Sequence, residues 1–429
     1  MGQDRAGEDG GRRALGLVLL IVFVDLVGFG ILIPVIPLYA EAFGASEFVV
    51  GLLLASYSVT QFVFAPLLGR LSDERGRRPV LLLSLAGSVV AWTLFGLAGA
   101  LWVLFLARLI AGAMGGNIAA AQAYVADVTT PENRARGLGL IGAAFGLGFV
   151  FGPAIGGLVS SPPALEVARA VLPGAVPVSE FTIPSFTAAA ITALNFVAAL
   201  FLLPETNRER SATPDRSRLQ ALGDALRAPA LAGLVVAFFL ASLAFSGMES
   251  MFVLFTKDVY GFGTTVNGYV LAYLGVIVAI VQGGLVGRAA ARWGEKRLAM
   301  GGAAVEFLAL VSLPFAPQLG SFLPAAGPLG PELLALLGIL AVLAVGNGFT
   351  NVSLTTLVSR SASEDEQGSA FGLTQSAASI ARAVGPVAAG ALYTGLAYWA
   401  PFVAGGLLVL PIVVLLHRTM VSGSPAGGG

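Results

Sequence analysis

The chain has 429 residues, 56% of them hydrophobic and only 11% charged, and its 24 Lys and Arg residues balance 24 Asp and Glu. A water-soluble domain carries about 25% charged residues, so a soluble enzyme or a basic nucleic-acid binder is excluded and a polytopic membrane protein is indicated. Cysteine is absent, which removes disulfides and thiolate metal sites.

Met1 to Arg13 is a Gly-rich charged arm, expected to be disordered. The apolar run from Ala14 passes through Asp25 and is too long for a signal-peptide core, so it is read as the first span. At about 20 apolar residues per span, the chain divides into twelve: 15–40, 48–71, 79–99, 101–125, 137–159, 184–204, 229–256, 264–292, 297–315, 331–358, 368–394 and 398–418. The resulting plan is an N-terminal arm over 1–14, a six-helix bundle over 15–204, a linker over 205–228 with five arginines, a second bundle over 229–418 and a tail over 419–429. The Pro-rich stretches 162–184 and 317–331 carry no motif and are read as covers or spacers. Of the 24 Lys and Arg residues, 20 fall in the termini and alternate loops assigned to one side. Arg169 and Lys257 fall on the other, while Arg108 and Arg382 lie within spans. The positive-inside rule then makes both termini cytoplasmic and the number of spans even. His417, the one histidine, ends the last span and is read as an interfacial residue, since a metal site or proton relay needs partners.

The chain repeats itself. GRLSDERGRRPV (Gly69–Val80) is an Arg-dense turn between spans two and three, and GRAAARWGEKRL (Gly287–Leu298) is a degenerate copy between spans eight and nine. Both copies place their glycines seven positions apart, Gly69 and Gly76 in one, Gly287 and Gly294 in the other. Val50-Gly51-Leu52 is echoed by Asn267-Gly268-Tyr269, and Gly152-Pro153 by Gly385-Pro386. Two parallel six-span repeats describe a large secondary-transporter fold, all-α, with two pseudo-symmetric six-helix bundles.

With these motifs the chain resembles the major facilitator superfamily, and within it the twelve-span drug:proton antiporters that include the tetracycline exporters. GRLSDERGRRPVLLLSL is close to the signature between spans two and three. ARLIAGAMGG is similar to the fourth-span motif, GFVFGPAIGG to the antiporter motif of span five, and WGEK and EDEQG to turns of the tetracycline group. The resemblance implies that Asp73 faces the N-terminus of span eleven, where the helix dipole favours an anion, and that Arg77 pairs with Asp127 at the foot of span four. Together with Gly69 these residues would latch the two halves. Gly148, Gly152, Pro153, Gly156 and Gly157 match the antiporter motif. Glycines four apart allow close helix contact, proline permits a bend, and the family implies a seal between spans five and eight.

Ionisable and amide groups within spans are candidate cavity residues, because a charge at mid-bilayer costs about 2.5–3.5 kcal/mol unless it faces water or a partner. They are Asp25, Arg108, Gln122, Glu249, Glu306, Asn347, Asn351, Gln375 and Arg382. Gln122 follows Arg108 by fourteen residues and Arg382 follows Gln375 by seven, spacings that put each pair on one helical face. By resemblance Asp25 matches a first-span acid and Glu306 stands where the group has an aspartate, which makes it the preferred proton carrier. The group's third-span acid is replaced by Ala91, followed by Trp92, so tetracycline itself is not implied. Trp92, Phe95, Phe238, Phe239, Phe245, Phe252 and Phe371 are candidates to line an apolar cavity.

The expected function is a proton-coupled antiporter in the bacterial inner membrane, acting as a monomer and exporting hydrophobic or amphipathic small molecules by alternating access. Its partners are a small molecule, protons and the lipid bilayer, with no cofactor, metal or nucleic acid. The alternative is a proton symporter importing a sugar or organic acid. HExxH, GxSxG, P-loop and clustered-His patterns are all missing, so an enzyme is not expected.

Overall fold

Lipid offers no hydrogen bonds to a peptide group, so an apolar chain must satisfy its backbone internally, and here it does so with helices. A computed structural model describes residues 2–206, 229–324, 330–361 and 367–421. Numbered as in the sequence, span one is Gly2–Ile31 continued by Val35–Ala42, span two Glu47–Arg75 and span three Arg77–Gly96. Span four is Leu101–Met114 continued by Asn117–Val128, span five Pro131–Val159 and span six Thr182–Leu202. Span seven is Pro229–Tyr260, and span eight runs from Thr264–Ile280 through a π-helical turn, Val281–Leu285, to Val286–Trp293. Span nine is Glu295–Ser312, span ten Pro331–Ser361, span eleven Gln367–Gly395 and span twelve Ala400–Val421.

Among the described residues, eleven segments are long and apolar enough to cross a membrane. Span eleven is the long helix outside that set, because Gln375, Ser376, Ser379 and Arg382 dilute its apolar face. The stretch 162–184, read as a spacer, contains a helix over Pro162–Val171. The N-terminal arm, expected to be disordered, instead begins span one's helix, which starts at Gly2. The 205–228 linker lies outside the described residues beyond Thr206, as do the EDEQG turn up to Glu366 and the tail after Val421.

Two compact units are formed. The first comprises Met1–Ser46, Ser56–Ser211 and Thr256–Gly275, the second Glu47–Ala55, Ala212–Phe255 and Val276–Gly429. Compared with a division at the linker, the start of span two and the junction of spans seven and eight have changed places. Glycine contacts explain both exchanges, as described below. In the first unit span one packs on spans five and six, and span three on spans four and six. Its core gathers Val18, Val22, Leu26, Leu81, Leu85, Tyr124 and Val125. In the second unit span nine packs on spans ten and twelve.

Candidate functional site

The Arg-dense turn shrinks to a single residue. The helix of span two runs on through Gly69 and Asp73 to Arg75, and span three starts at Arg77, so Gly76 alone is non-helical. It has φ 113°, a region that glycine occupies without strain. Gly294 repeats the device with φ 77° between spans eight and nine. Gly69 has no such task, since a side chain there would meet nothing within 4 Å.

Because the two helices abut at Gly76, Arg77 folds back on the end of span two. Its Nη1 donates to Asp73 Oδ1 at 2.6 Å and to Ser72 Oγ at 3.2 Å, and its Nε to Asp127 Oδ2 at 3.1 Å. The expected Arg77–Asp127 pair is therefore present inside the first unit. The Arg77 side chain is only 14% exposed, whereas that of Asp73 is 66% exposed. In the second unit the corresponding place holds Glu295, directly after Gly294, and it pairs at 2.8 Å with Arg360 at the end of span ten. This is the same cross-link with its charges exchanged. Arg360 lies outside the repeated loop, so the repeat alone gives no sign of the pair.

The glycine-proline echoes meet one another rather than running in parallel. In the first unit Gly148, Gly152 and Gly156 of span five face Leu26, Gly30 and Ile31 of span one, close enough that a Cβ on any of them would strike backbone or Cβ atoms. Gly157 sits on Gly268 at the start of span eight, and Gly275 on the Phe149 carbonyl. In the second unit Gly51, at the start of span two, lies on Pro386 of span eleven, and Gly390 lies on Glu47 and Phe48. Thr394 joins the latter contact, its hydroxyl donating to Glu47 at 2.7 Å and accepting from the Phe48 amide at 3.1 Å. Each Gly-Pro of one half thus receives the helix start of the other, which is why those two starts cluster with the opposite unit.

The ionisable candidates fall into different environments. Arg108 is 3% exposed, with its guanidinium 4.6 Å from the centre of the Tyr57 ring, a cation–π arrangement. Tyr57 in turn contacts Phe29, which contacts Trp92. Gln122 is exposed and does not continue the Arg108 face. Span four breaks at Gly115–Gly116, so helical periodicity does not carry across it, and Gln61 Nε2 takes the freed Gly115 carbonyl at 2.9 Å. Asp25 is half-buried one turn after Ile21, whose carbonyl accepts a 2.8 Å bond from Asn195 Nδ2 of span six.

In the second unit Glu249 is half-buried and lies within electrostatic reach of Arg382. Arg382 and Gln375 are both exposed, as their seven-residue spacing on span eleven requires, and Arg382 Nη2 donates to Ser379 Oγ at 3.3 Å. Glu306 is fully buried between spans nine and ten. Gly302 and Gly346 let those helices meet: a Cβ on Gly346 would lie 2.6 Å from the Glu306 nitrogen. Asn347 Nδ2 donates to Glu306 Oε1 at 3.0 Å, and the Thr350 hydroxyl is a near neighbour whose own proton goes to the Gly346 carbonyl at 2.9 Å. Glu306 Oε2 is buried without a hydrogen bond. Asn351, one turn on from Asn347, is half-buried.

The aromatic candidates, each open to a packing or lipid-facing reading, fall into two groups. Trp92, Phe95 and Phe252 are packed away, at 3%, 0% and 1% exposure, each against another ring: Phe29, Tyr39 and Phe255 respectively. Phe238, Phe239 and Phe245 remain half-buried, and the side chain of Phe371 lies outside the described residues. Ala91 is fully buried. Sequence reasoning missed Tyr57, the Glu295–Arg360 pair and the exposed Gln282 in the π-turn. A π-turn often marks a functional position, but it has no sequence signal beyond Gly283-Gly284.

Paired helical repeats, positive-φ glycine junctions and charges inside apolar spans define a polytopic membrane transporter. The match to known proteins agrees and is more specific: residues 18–386 match the Major Facilitator Superfamily model, and the chain belongs to that family. It is 33% identical to the class G tetracycline resistance protein of Vibrio anguillarum, over 95% of this chain and 98% of that one. It is 32% identical to the class C tetracycline resistance protein of Escherichia coli, over 95% and 97% of the two chains. Among solved structures, the human organic anion transporter MFSD10 (TETRAN) superposes with a TM-score of 0.63 at 26% identity, over 95% of this chain and 99% of that one. An inward-facing, occupied bacterial homologue of the lysosomal transporter Spinster gives a TM-score of 0.73 at 15% identity, a likeness of fold alone.

Proposed function

We propose that the protein is a proton-coupled antiporter that exports amphipathic small molecules by alternating access, with Glu306 as the proton carrier. The observation that carries the coupling is the burial of Glu306 between two membrane helices, with one amide donor and, among the described residues, no ion pair. An uncompensated charge there costs about 2.5–3.5 kcal/mol, and taking up a proton removes that cost. A conformation that opens spans nine and ten to water releases the proton again. Asp25, Glu249, Asn347, Asn351, Gln122 and Gln375 line the path of substrate or proton, while Asp73, Arg77 and Asp127 hold the latch. The direction of transport is supported by full-length likeness to the tetracycline resistance proteins. Both termini face the cytoplasm of a bacterial inner membrane, and the monomer is the working unit.

A second reading concerns the charge of the substrate. Arg382 is the exposed cation at mid-span, and the human relative is described as an organic anion transporter. Amphipathic anions are therefore substrates to set beside cations and neutral drugs. Inverted membrane vesicles, acid inside and loaded with a pH-sensitive dye, separate these cases. Substrate-dependent proton release that Glu306→Gln and Asp25→Asn abolish supports the antiporter, and the active probe among tetracycline, amphipathic cations and aromatic anions names the class. Uptake of a sugar or organic acid into right-side-out vesicles, without proton release by any drug, overturns it.

A further inference from the structure

We propose that Glu205, where span six runs into the linker, is a positioning residue that sets the Arg77 latch from 128 residues away. This rests on the latch reading above and extends it. Glu205 Oε1 accepts from the backbone N–H of Arg77 at 3.0 Å, of Arg78 at 3.4 Å and of Thr206 at 3.1 Å. The first N–H groups of a helix have no partner within it. No residue of the Gly76 junction caps span three with its side chain; the carboxylate of a distant segment does so instead. Its negative charge also suits the positive end of the helix dipole.

The fit also brings the carboxylate close to position 76, where a side chain would displace it from the cap. Besides its φ of 113°, a Cβ there would lie 2.5 Å from Glu205 Oε2 and 2.9 Å from Cδ. Cap and junction are thus built against each other. Neighbouring bonds tie the same segment to the latch partners. Thr206 Oγ1 donates to Asp127 Oδ2 at 3.2 Å, the oxygen that also receives Arg77 Nε. Tyr124 donates to the Pro204 carbonyl at 2.9 Å, and Arg78 Nη2 to the Leu200 carbonyl at 2.6 Å. Arg77 can bridge Asp73 and Asp127 only if its backbone is held at the first turn of span three. Glu205 provides that hold, so a displacement of the end of span six at Pro204–Thr206 pulls on the latch directly.

Hydrogen–deuterium exchange of the full-length protein in lipid nanodiscs tests this without any substrate. Glu205→Gln leaves a neutral acceptor, and a bond to a charged acceptor is about twice as strong. Exchange over Gly76–Leu83 should therefore rise roughly five- to tenfold. The increase should spread to residues 124–129 at the foot of span four, and an Arg77→Ala background should abolish that spread. Thr206→Val removes only the direct hydroxyl arm and should leave most of the spread in place. No change at 124–129 in Glu205→Gln, full additivity with Arg77→Ala, or Thr206→Val reproducing the whole effect would each overturn the proposal. If Glu205→Gln does not yield folded protein, Glu205→Asp, charged but one methylene short, is read by the same criteria. Vesicle transport by the same variants then tests the latch reading separately.

Discussion

Gly152→Ala should loosen the contact of spans one and five, and its effect can be worked from the geometry. The added methyl would lie 2.5 Å from Gly30 Cα, 2.7 Å from Gly30 C and 3.0 Å from Ile31 N. All three are backbone atoms, which no side-chain rotation can clear. Ordinary contact begins near 3.4 Å, so the helices must part by about 1 Å along a face that also includes Gly148 and Gly156. Overpacking of this kind costs about 1–3 kcal/mol, and alanine returns about 0.5–1 kcal/mol over glycine in a helix. The net loss is roughly 0.5–2 kcal/mol, a few degrees in the unfolding midpoint. Gly146→Ala in the same helix meets nothing within 4 Å and should gain slightly. Thermal midpoints in detergent at a fixed scan rate, read by the surviving monodisperse fraction, distinguish the two signs. Gly30→Ala combined with Gly152→Ala should cost less than the sum of the singles, because the helices have already separated. If Gly152→Ala melts at or above Gly146→Ala, the motif's glycines are not there for backbone approach, and their role must be sought in motion instead.

Two further variants probe the buried acid and the inverted ion pair. Glu306→Gln should fold at near wild-type yield in size-exclusion profiles, because the amide keeps the shape and the carbonyl that accepts from Asn347, whereas Glu306→Lys buries an ammonium at a cost near 3 kcal/mol and should lose the monodisperse peak. Glu295→Arg sets a like charge against Arg360 and should destabilise the protein by under about 1 kcal/mol, since Arg360 is 66% exposed; Arg360→Glu in the same chain should restore the midpoint, and added salt should erase the difference.

The repeat, the spans and the family were legible because they rest on period and composition, which do not depend on contacts. The Arg77–Asp127 pair was legible through its motif. Contacts between non-equivalent copies were not: Gly51 aligns with Gly268, yet it touches Pro386, and Gly268 touches the Pro153 carbonyl. An internal alignment pairs equivalents, while packing pairs complements. Gln122 leaves the Arg108 face for a related reason, because counting turns assumes an unbroken helix and Gly115–Gly116 interrupts it. Glu205 looked like the first residue of a polar linker, since a carboxylate that caps a helix 128 residues away leaves no local trace.

The two junctions share one device and differ in its charges. Both halves place a positive-φ glycine before a charged residue, and both tie that residue to the foot of the following span. Since Arg77–Asp127 in one half becomes Glu295–Arg360 in the other, the geometry demands a cross-link and not a particular sign. What the first junction adds is further carboxylates around the cross-link. Asp73 and Asp127 share the single guanidinium of Arg77, and Glu205 brings a third carboxylate against the same helix start. The second junction is a neutral pair by comparison. Asp73 is the most exposed of the paired side chains at the first junction, at 66% against 14% for Arg77 and 28% for Asp127. Asp73→Asn should therefore leave the Arg77–Asp127 bond and the folded yield intact while lowering transport. The matching change in the second half, Glu295→Gln, should lower the midpoint slightly and leave transport unchanged.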